Sequence, residues 1–288
     1  MRAPDFVIAG HPKCGSTTLQ RYLEQHSQLH MGSRKEPSLY LEQWEEWRQG
    51  SLLYFPEGLP EKTLCGDATV GYVKDADVAK RIAMVNPSTK IVFLLRDPVD
   101  RALSHYHHWL RHGKDVRSLR RVIFESGPDH YFYLFGMYFE HLTTYLKYFP
   151  KEQIHCLFFE DLTTNPTKAL ESLWEFLEVE VMEMKRAEFW ENAGHSVKGR
   201  WLSRWLKRQK ESDRLRSWFP PVMRKVGGAA LRKLEVWNRS DTRYLPNEKG
   251  LAYMRSVFNP EVEGVLKFIR EEKGRTHFPK WTRLYDVG

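Results

Sequence analysis

The chain has 288 residues, with 45 Lys and Arg against 37 Asp and Glu, a formal net charge of +8 and 41% hydrophobic residues. That apolar share excludes a disordered chain, and no Gly-X-Y, heptad or longer repeat is present, so fibrous and solenoid architectures are excluded as well. The length suffices for one large core or at most two small ones.

Residues 6–9 (Phe-Val-Ile-Ala) read as a short buried strand, closed by Gly10 and followed by a glycine-containing loop. From Ser16 onward Leu19, Tyr22 and Leu23 recur at three- and four-residue steps, which predicts a helix. Residues 90–95 (Lys-Ile-Val-Phe-Leu-Leu) form a second strand, apolar on both faces as in a parallel sheet. Arg96 closes it. Asp97-Pro98 then starts a helix to about Arg111, with Asp as N-cap and Pro at the first helical position. Residues 153–159 predict a third strand, and Asn165-Pro166 opens a helix through Leu177. This alternation predicts an α/β fold built on a doubly wound parallel sheet with flanking helices.

Beyond about residue 195 the pattern changes. Trp201, Leu202, Trp205 and Leu206 make a helical stripe among basic residues, and residues 260–270 read as a last amphipathic helix before Trp281. The expectation is one domain over residues 1–288, with an α/β core over about 1–195 and extra helices in a basic C-terminal part over about 196–288. Between His195 and Arg243 fourteen Lys/Arg stand against four Asp/Glu, which leaves the remaining chain at −2. So concentrated a surplus points to an anionic partner at one place. The tryptophan stripe could rest on an anionic membrane surface, although such stripes more often pack on their own domain. No helix-turn-helix, zinc or RNA-binding signature accompanies the charge, so no nucleic-acid partner is expected.

Apolar runs reach about five residues, far from the ~20 of a membrane span. The chain passes from Met1 into a strand-like run with no visible signal peptide. Cys14, Cys65 and Cys156 offer neither a disulfide framework nor a zinc pattern. A soluble cytoplasmic protein is the expectation. His105, His108 and His112 share a helix face with no carboxylate near enough to complete a metal site, and no metal is expected.

The loop Gly10-His11-Pro12-Lys13-Cys14-Gly15-Ser16-Thr17-Thr18 joins the first strand to the first helix. Backbone N–H groups there, aided by the helix dipole, make a P-loop-like phosphate-binding turn to which Lys13 adds a charge and Ser16, Thr17 and Thr18 add hydroxyls. Cys14, at a helix start, is placed for a lowered thiol pKa. Gly10 and Gly15 have the spacing of a Walker loop, but Ser16 occupies the place of its lysine. A nucleotide kinase is therefore the alternative reading, and a non-catalytic nucleotide- or polyanion-binding module the reading outside enzymology.

The run Lys13-Cys14-Gly15-Ser16-Thr17-Thr18-Leu19 resembles the 5′-phosphosulfate loop of sulfotransferases that use 3′-phosphoadenosine 5′-phosphosulfate (PAPS). The block from Lys90 through Arg96-Asp97-Pro98 to Ser104 resembles the same family's 3′-phosphate site, which assigns that role to Arg96 and Ser104. A third block, Gly136-Met137-Tyr138 with Tyr145 and Phe149-Pro150, then residues 158–162 and Pro166, is similar to its mid-domain signature. Lys198-Gly199-Arg200 resembles the basic loop that closes over adenosine 3′,5′-bisphosphate (PAP), with a solvated basic turn as the equal alternative.

The resemblance implies transfer of a sulfuryl group from PAPS to a hydroxyl, with an amine as the second class, of a carbohydrate or small-metabolite acceptor. Lys13 would stabilise the leaving oxygen. Residues 33–40 resemble the segment after the first helix in heparan-sulfate-type enzymes, where a glutamate is the general base, and Glu36 falls on that position. Ser38 and Leu41 stand where the 3-O-type enzymes have His and Asp. Asp67, in Gly66-Asp67-Ala68-Thr69, matches a stretch lining the family's acceptor cleft and is the second candidate base.

Overall fold

The computed structural model describes residues 2–32, 34–49, 54–115, 117–182, 196–197, 199–211, 234, 237–240 and 244–285. The chain divides into two compact units. The first comprises Met1–Arg101, Tyr133–Trp190 and Arg255–Gly288, the second Ala102–Phe132 and Glu191–Met254.

The first unit carries the sheet. Strands β1 (Phe6–Gly10), β2 (Leu29–His30), β3 (Leu64–Asp67), β4 (Lys90–Leu95) and β5 (Ile154–Phe158) lie in the order β2-β3-β1-β4-β5, and every pairing is parallel. The chain winds from β1 to one edge and then returns to fill the other side, so the sheet is doubly wound and its switch point lies between β1 and β4. Helices α1 (Ser16–Leu23), α2 (Trp44–Arg48), α3 (Asp77–Val85), α4 (Pro98–Arg111), α5 (Leu119–Glu125), α6 (Tyr131–Leu134), α7 (Tyr138–Leu146), α8 (Phe159–Thr164) and α9 (Pro166–Leu177) follow the strands in chain order.

Alternate strand residues face opposite ways. Phe6, Ile8, Val92, Leu94 and Leu157 gather on one face with Leu19, Tyr22 and Leu23 of α1 and Leu170, Leu173 and Trp174 of α9. On the other face Tyr145 of α7 meets Phe93 edge-on, ring centroids 5.2 Å apart. The caps read from the sequence are in place. Asp97 Oδ1 accepts from the N–H of Val99 at 2.8 Å, and the Asn165 side chain accepts from Lys168 N–H at 3.2 Å. Among the described residues no helix is long and apolar enough to cross a membrane.

Two differences from the sequence reading have physical causes. The edge strands β2 and β3 escape it because β2 is two residues long and β3 reads Leu-Cys-Gly-Asp, with no apolar alternation. The last helix runs Glu248–Lys273, twelve residues longer at its start than the Pro260 boundary expected from sequence. Asn247 caps it, accepting from Gly250 N–H at 3.0 Å, and burial of Phe258, Val262, Val265 and Leu266 holds the helix together through the proline.

In the second unit, Ser196–Val197 pairs antiparallel with Arg239–Ser240, and α10 (Arg200–Glu211) follows. Trp205 on this helix is 40% exposed and Leu206 is buried. The buried Asn238 amide donates to the Gly199 carbonyl and the Ser203 hydroxyl, at 3.1 and 2.9 Å, and accepts from the Gly199 N–H at 2.7 Å.

Gly66 in β3 is pressed against the Phe6 ring and Met31, leaving no room for a side chain. Gly66→Ala should lower the unfolding free energy by roughly 1–3 kcal/mol, measured by urea denaturation. Unchanged stability would mean that β1 and β3 are not packed this closely.

Candidate active site

The site grows from the carboxyl ends of β1 and β4, where open α/β sheets take their ligands. β1 ends in an irregularity, its register against β4 shifting between Ile8 and Gly10. The loop then turns through two left-handed residues, Lys13 (φ 73°) and Gly15 (φ 91°), into α1. No side chain caps α1, so the amides of its first turn remain directed toward the loop, an arrangement suited to an anion. A Cβ on Gly15 would lie 2.8 Å from the Phe159 ring, which together with the positive φ reserves this position for glycine.

Arg96, one residue past β4, reaches this loop. Its Nη1 donates to the Lys13 carbonyl at 3.3 Å, and its guanidinium lies 4.7 Å from the Phe159 ring centroid. Asp100, largely exposed, is its ion-pair partner at 3.6 Å, a weak contact. The buried Arg96 Nε has no hydrogen-bond partner among the described residues. An orphaned guanidinium N–H beside uncapped helix amides suits an anionic phosphate group. The structure thus brings Lys13, Cys14, Gly15, Ser16, Thr17, Thr18 and Arg96 together.

Beneath the loop lies a buried layer that the sequence did not disclose. His11 Nδ1 bonds the Leu94 carbonyl at 3.0 Å, which requires a proton there and leaves Nε2 as acceptor for His141 Nδ1–H, 3.1 Å away. Burial holds both imidazoles below the ordinary histidine range, His141 at about 3, with the Arg101 charge acting in the same direction. Arg101 is wholly buried. Tyr138 OH donates to the Arg96 carbonyl at 2.8 Å and lies 3.8 Å from Cys14 Sγ. Cys14 corrects an expectation: its thiol is pushed up to about 12, because complete burial outweighs the nearby Arg101 and Arg96 charges. Cys14 is a packing residue of the loop rather than a reactive thiol.

The second cluster surrounds the carboxylates. Glu36 is exposed, on a corner where Glu36 (φ 51°) and Ser38 (φ 56°) adopt left-handed backbone. Lys35, beside it, donates to the Thr17 hydroxyl at 2.5 Å, which carries a second ammonium to the start of α1. Asp67 is fully buried. Its carboxylate accepts from the Thr69 hydroxyl at 2.7 Å and from Tyr72 OH. Burial raises its pKa to about 6 against the opposing effect of those hydroxyls, and the Glu36 charge adds to the rise. Tyr40 and Tyr145, both buried, have hydroxyls with no hydrogen-bond partner among the described residues, and burial, with the Asp67 charge adding to it, raises the pKa of each phenol.

The remaining expected residues belong to the second unit. Ser104 is partly buried within α4. Gly199 has its N–H and carbonyl engaged by Asn238, and Arg200 begins α10. Lys198 and the Arg200 side chain lie outside the described residues. Among the described residues no group of three or more His, Cys, Asp or Glu is placed to hold a metal ion.

Asp67 yields a pH signature. Its folded-state pKa lies above the unfolded value, so the native state binds this proton more tightly. The stabilisation is complete below about pH 4 and is lost as the pH rises through about 6. The stability of the wild type relative to Asp67→Asn should fall by roughly 3 kcal/mol between pH ~4 and ~8, measured by denaturant titration. A pH-independent difference would contradict the burial of this carboxyl.

A family model described as a sulfotransferase domain matches residues 3–211. The membrane-associated sulfotransferase kil1 of Dictyostelium discoideum is 25% identical, with 61% of this chain and 56% of that protein covered. The bifunctional heparan sulfate N-deacetylase/N-sulfotransferase 2 of Homo sapiens is 28% identical over 61% of this chain and 22% of its own length. The chain therefore spans less than two thirds of either relative. Among solved structures, a sulfotransferase from Alicyclobacillus acidocaldarius is 26% identical, covers 65% of this chain and 88% of that one, and superposes with a TM-score of 0.56. These matches stand against the nucleotide kinase alternative. The chain belongs to the sulfotransferase family, whose members use PAPS.

Proposed function

We propose that this chain transfers the sulfuryl group of PAPS to a hydroxyl of a carbohydrate or small-metabolite acceptor, with Glu36 as general base. The observation that carries the reading is the convergence of Arg96 on the Lys13 loop, with a buried guanidinium N–H left for an anion. PAPS supplies an activated sulfuryl group whose departure leaves PAP. The first-turn amides of α1, the Ser16–Thr18 hydroxyls and Lys13 hold the 5′ end, and Lys13 stabilises the oxygen on which charge develops. Arg96 grips the 3′-phosphate, the planar Phe159 contact fixing its orientation. The acceptor oxygen attacks sulfur in line, the S–O bond to the leaving phosphate breaks, and the acceptor proton passes to the Glu36 carboxylate. Exposure favours Glu36 over Asp67 for this role, since an acceptor can reach the first while the second is buried against two hydroxyl donors.

A carbohydrate hydroxyl is the first acceptor class to test. The human relative named above and the heparan sulfate glucosamine 3-O-sulfotransferase 6 of Mus musculus, 28% identical over 61% of this chain, carry a glycan in their names.

Glu36→Gln should lower kcat by roughly 10²–10⁴ in assays with labelled PAPS against a panel of glycans and small alcohols, with PAP affinity kept. Activity within threefold of wild type would remove Glu36 from the chemistry. Arg96→Ala should weaken PAP binding in calorimetry by at least tenfold, as expected for loss of a charged bidentate contact; unchanged affinity would defeat the donor-site assignment.

A further inference from the structure

An ionised carboxylate only accepts hydrogen bonds. The two hydroxyls that bond Asp67, Thr69 Oγ1 at 2.7 Å and Tyr72 OH, must therefore spend their hydrogens on it. What each has left is lone pairs, and both are used in the same way. Ser38 N–H donates to Thr69 Oγ1 at 3.2 Å, and Tyr40 N–H donates to Tyr72 OH at 3.3 Å. One buried carboxylate thus sets the polarity of two parallel relays. Both end on alternate backbone amides of the corner that carries Glu36.

That corner needs holding. Non-glycine residues at Glu36 and Ser38 adopt left-handed backbone, a conformation that persists only where the surroundings over-determine it. The start of the segment is fixed separately, by Tyr54 OH on the carbonyls of Met31 and Arg34 and by Lys35 on Thr17. Arg81 Nη1 donates to the Tyr40 carbonyl at 2.8 Å and secures the far end. Between these anchors, the Ser38 and Tyr40 amides are tied to Asp67 through Thr69 and Tyr72, while the Ser38 carbonyl accepts from the N–H groups of Leu41 and Gln43 and the Tyr40 ring packs on Trp47. We propose that Asp67 is a positioning residue, whose carboxylate acts through the Thr69 and Tyr72 hydroxyls to fix the 36–40 corner and so the direction of the Glu36 side chain. The inference rests on Glu36 being the base.

The test cuts each relay with a near-isosteric change. Thr69→Val and Tyr72→Phe should each lower kcat by roughly tenfold to a hundredfold, the scale of a misplaced reacting group, measured with labelled PAPS and the acceptor found in the panel. PAP affinity in calorimetry should stay within about twofold for both. Thr69→Ser, which keeps the hydroxyl, should restore kcat to within about threefold. In a Glu36→Gln background, Thr69→Val should cause no further loss, as expected of residues acting as one unit. Backbone hydrogen exchange over residues 36–41, which needs no acceptor, should accelerate in both relay variants. Asp67→Asn cuts both relays at once, and should it fail to fold, the hydroxyl variants carry the test.

Wild-type kcat together with wild-type exchange in both hydroxyl variants would overturn the proposal while leaving Glu36 as base. So would a further tenfold loss on adding Thr69→Val to Glu36→Gln, which would give the relay a role independent of Glu36. Retained activity in Glu36→Gln alone would instead bring down the base assignment, and this inference with it.

Discussion

The register of β1 against β4 is the constraint from which the site follows. Phe6, Val7 and Ile8 lie opposite Lys90, Ile91 and Val92, and the irregularity beyond Ile8 sets Gly10 opposite Phe93. The ladder then continues one step into the loop, His11 N–H donating to the Leu94 carbonyl at 3.3 Å. Because the two strands are parallel, the glycine loop and Arg96 leave the sheet on the same side and at nearly the same height. A side chain of ordinary length spans the gap. With an antiparallel pairing, or a register slipped by one residue, Arg96 would face elsewhere and the loop would lose its guanidinium.

Desolvation decides which groups carry charge around this point. His11, His141 and Cys14 beneath the loop are buried deeply enough to stay neutral. Arg101, buried beneath it, contributes a fixed positive field that opposes protonation of the histidines and favours an anion above. Lys13, Lys35 and Arg96 form the outer, partly wetted set of cations. Positive charge both below the loop, from Arg101, and at its rim is an arrangement that draws an anion to the loop.

The central strands and the helices after them were legible because their signals are local. Buried parallel strands are continuous apolar runs, and Asp97-Pro98 and Asn165-Pro166 state their helix starts outright. The loop drew notice for its lysine, glycine and three consecutive hydroxyls and Arg96 through the resemblance of its block, and the structure brings the two together. The edge strands were not, because Gly66 and Asp67 sit in β3 for tertiary reasons, close approach to Phe6 in one case and the hydroxyl cluster in the other. His11 with His141, and Asp67 with Thr69 and Tyr72, bring together residues that sequence pattern gives no cause to pair. The Cys14 expectation failed for a related reason: the dipole of a helix start is visible in sequence, whereas full burial is not.

Glu36 is exposed, on a corner tied to the core through Thr69 and Tyr72. Proton transfer to a carboxylate is helped when water is displaced from around it. With Glu36 as the base proposed above, an acceptor that covers the corner as it docks would itself displace that water. Bulky acceptors would dry the reaction zone by their own presence, whereas a slim alcohol would leave it flooded, so selectivity for size would arise from shelter rather than from grip.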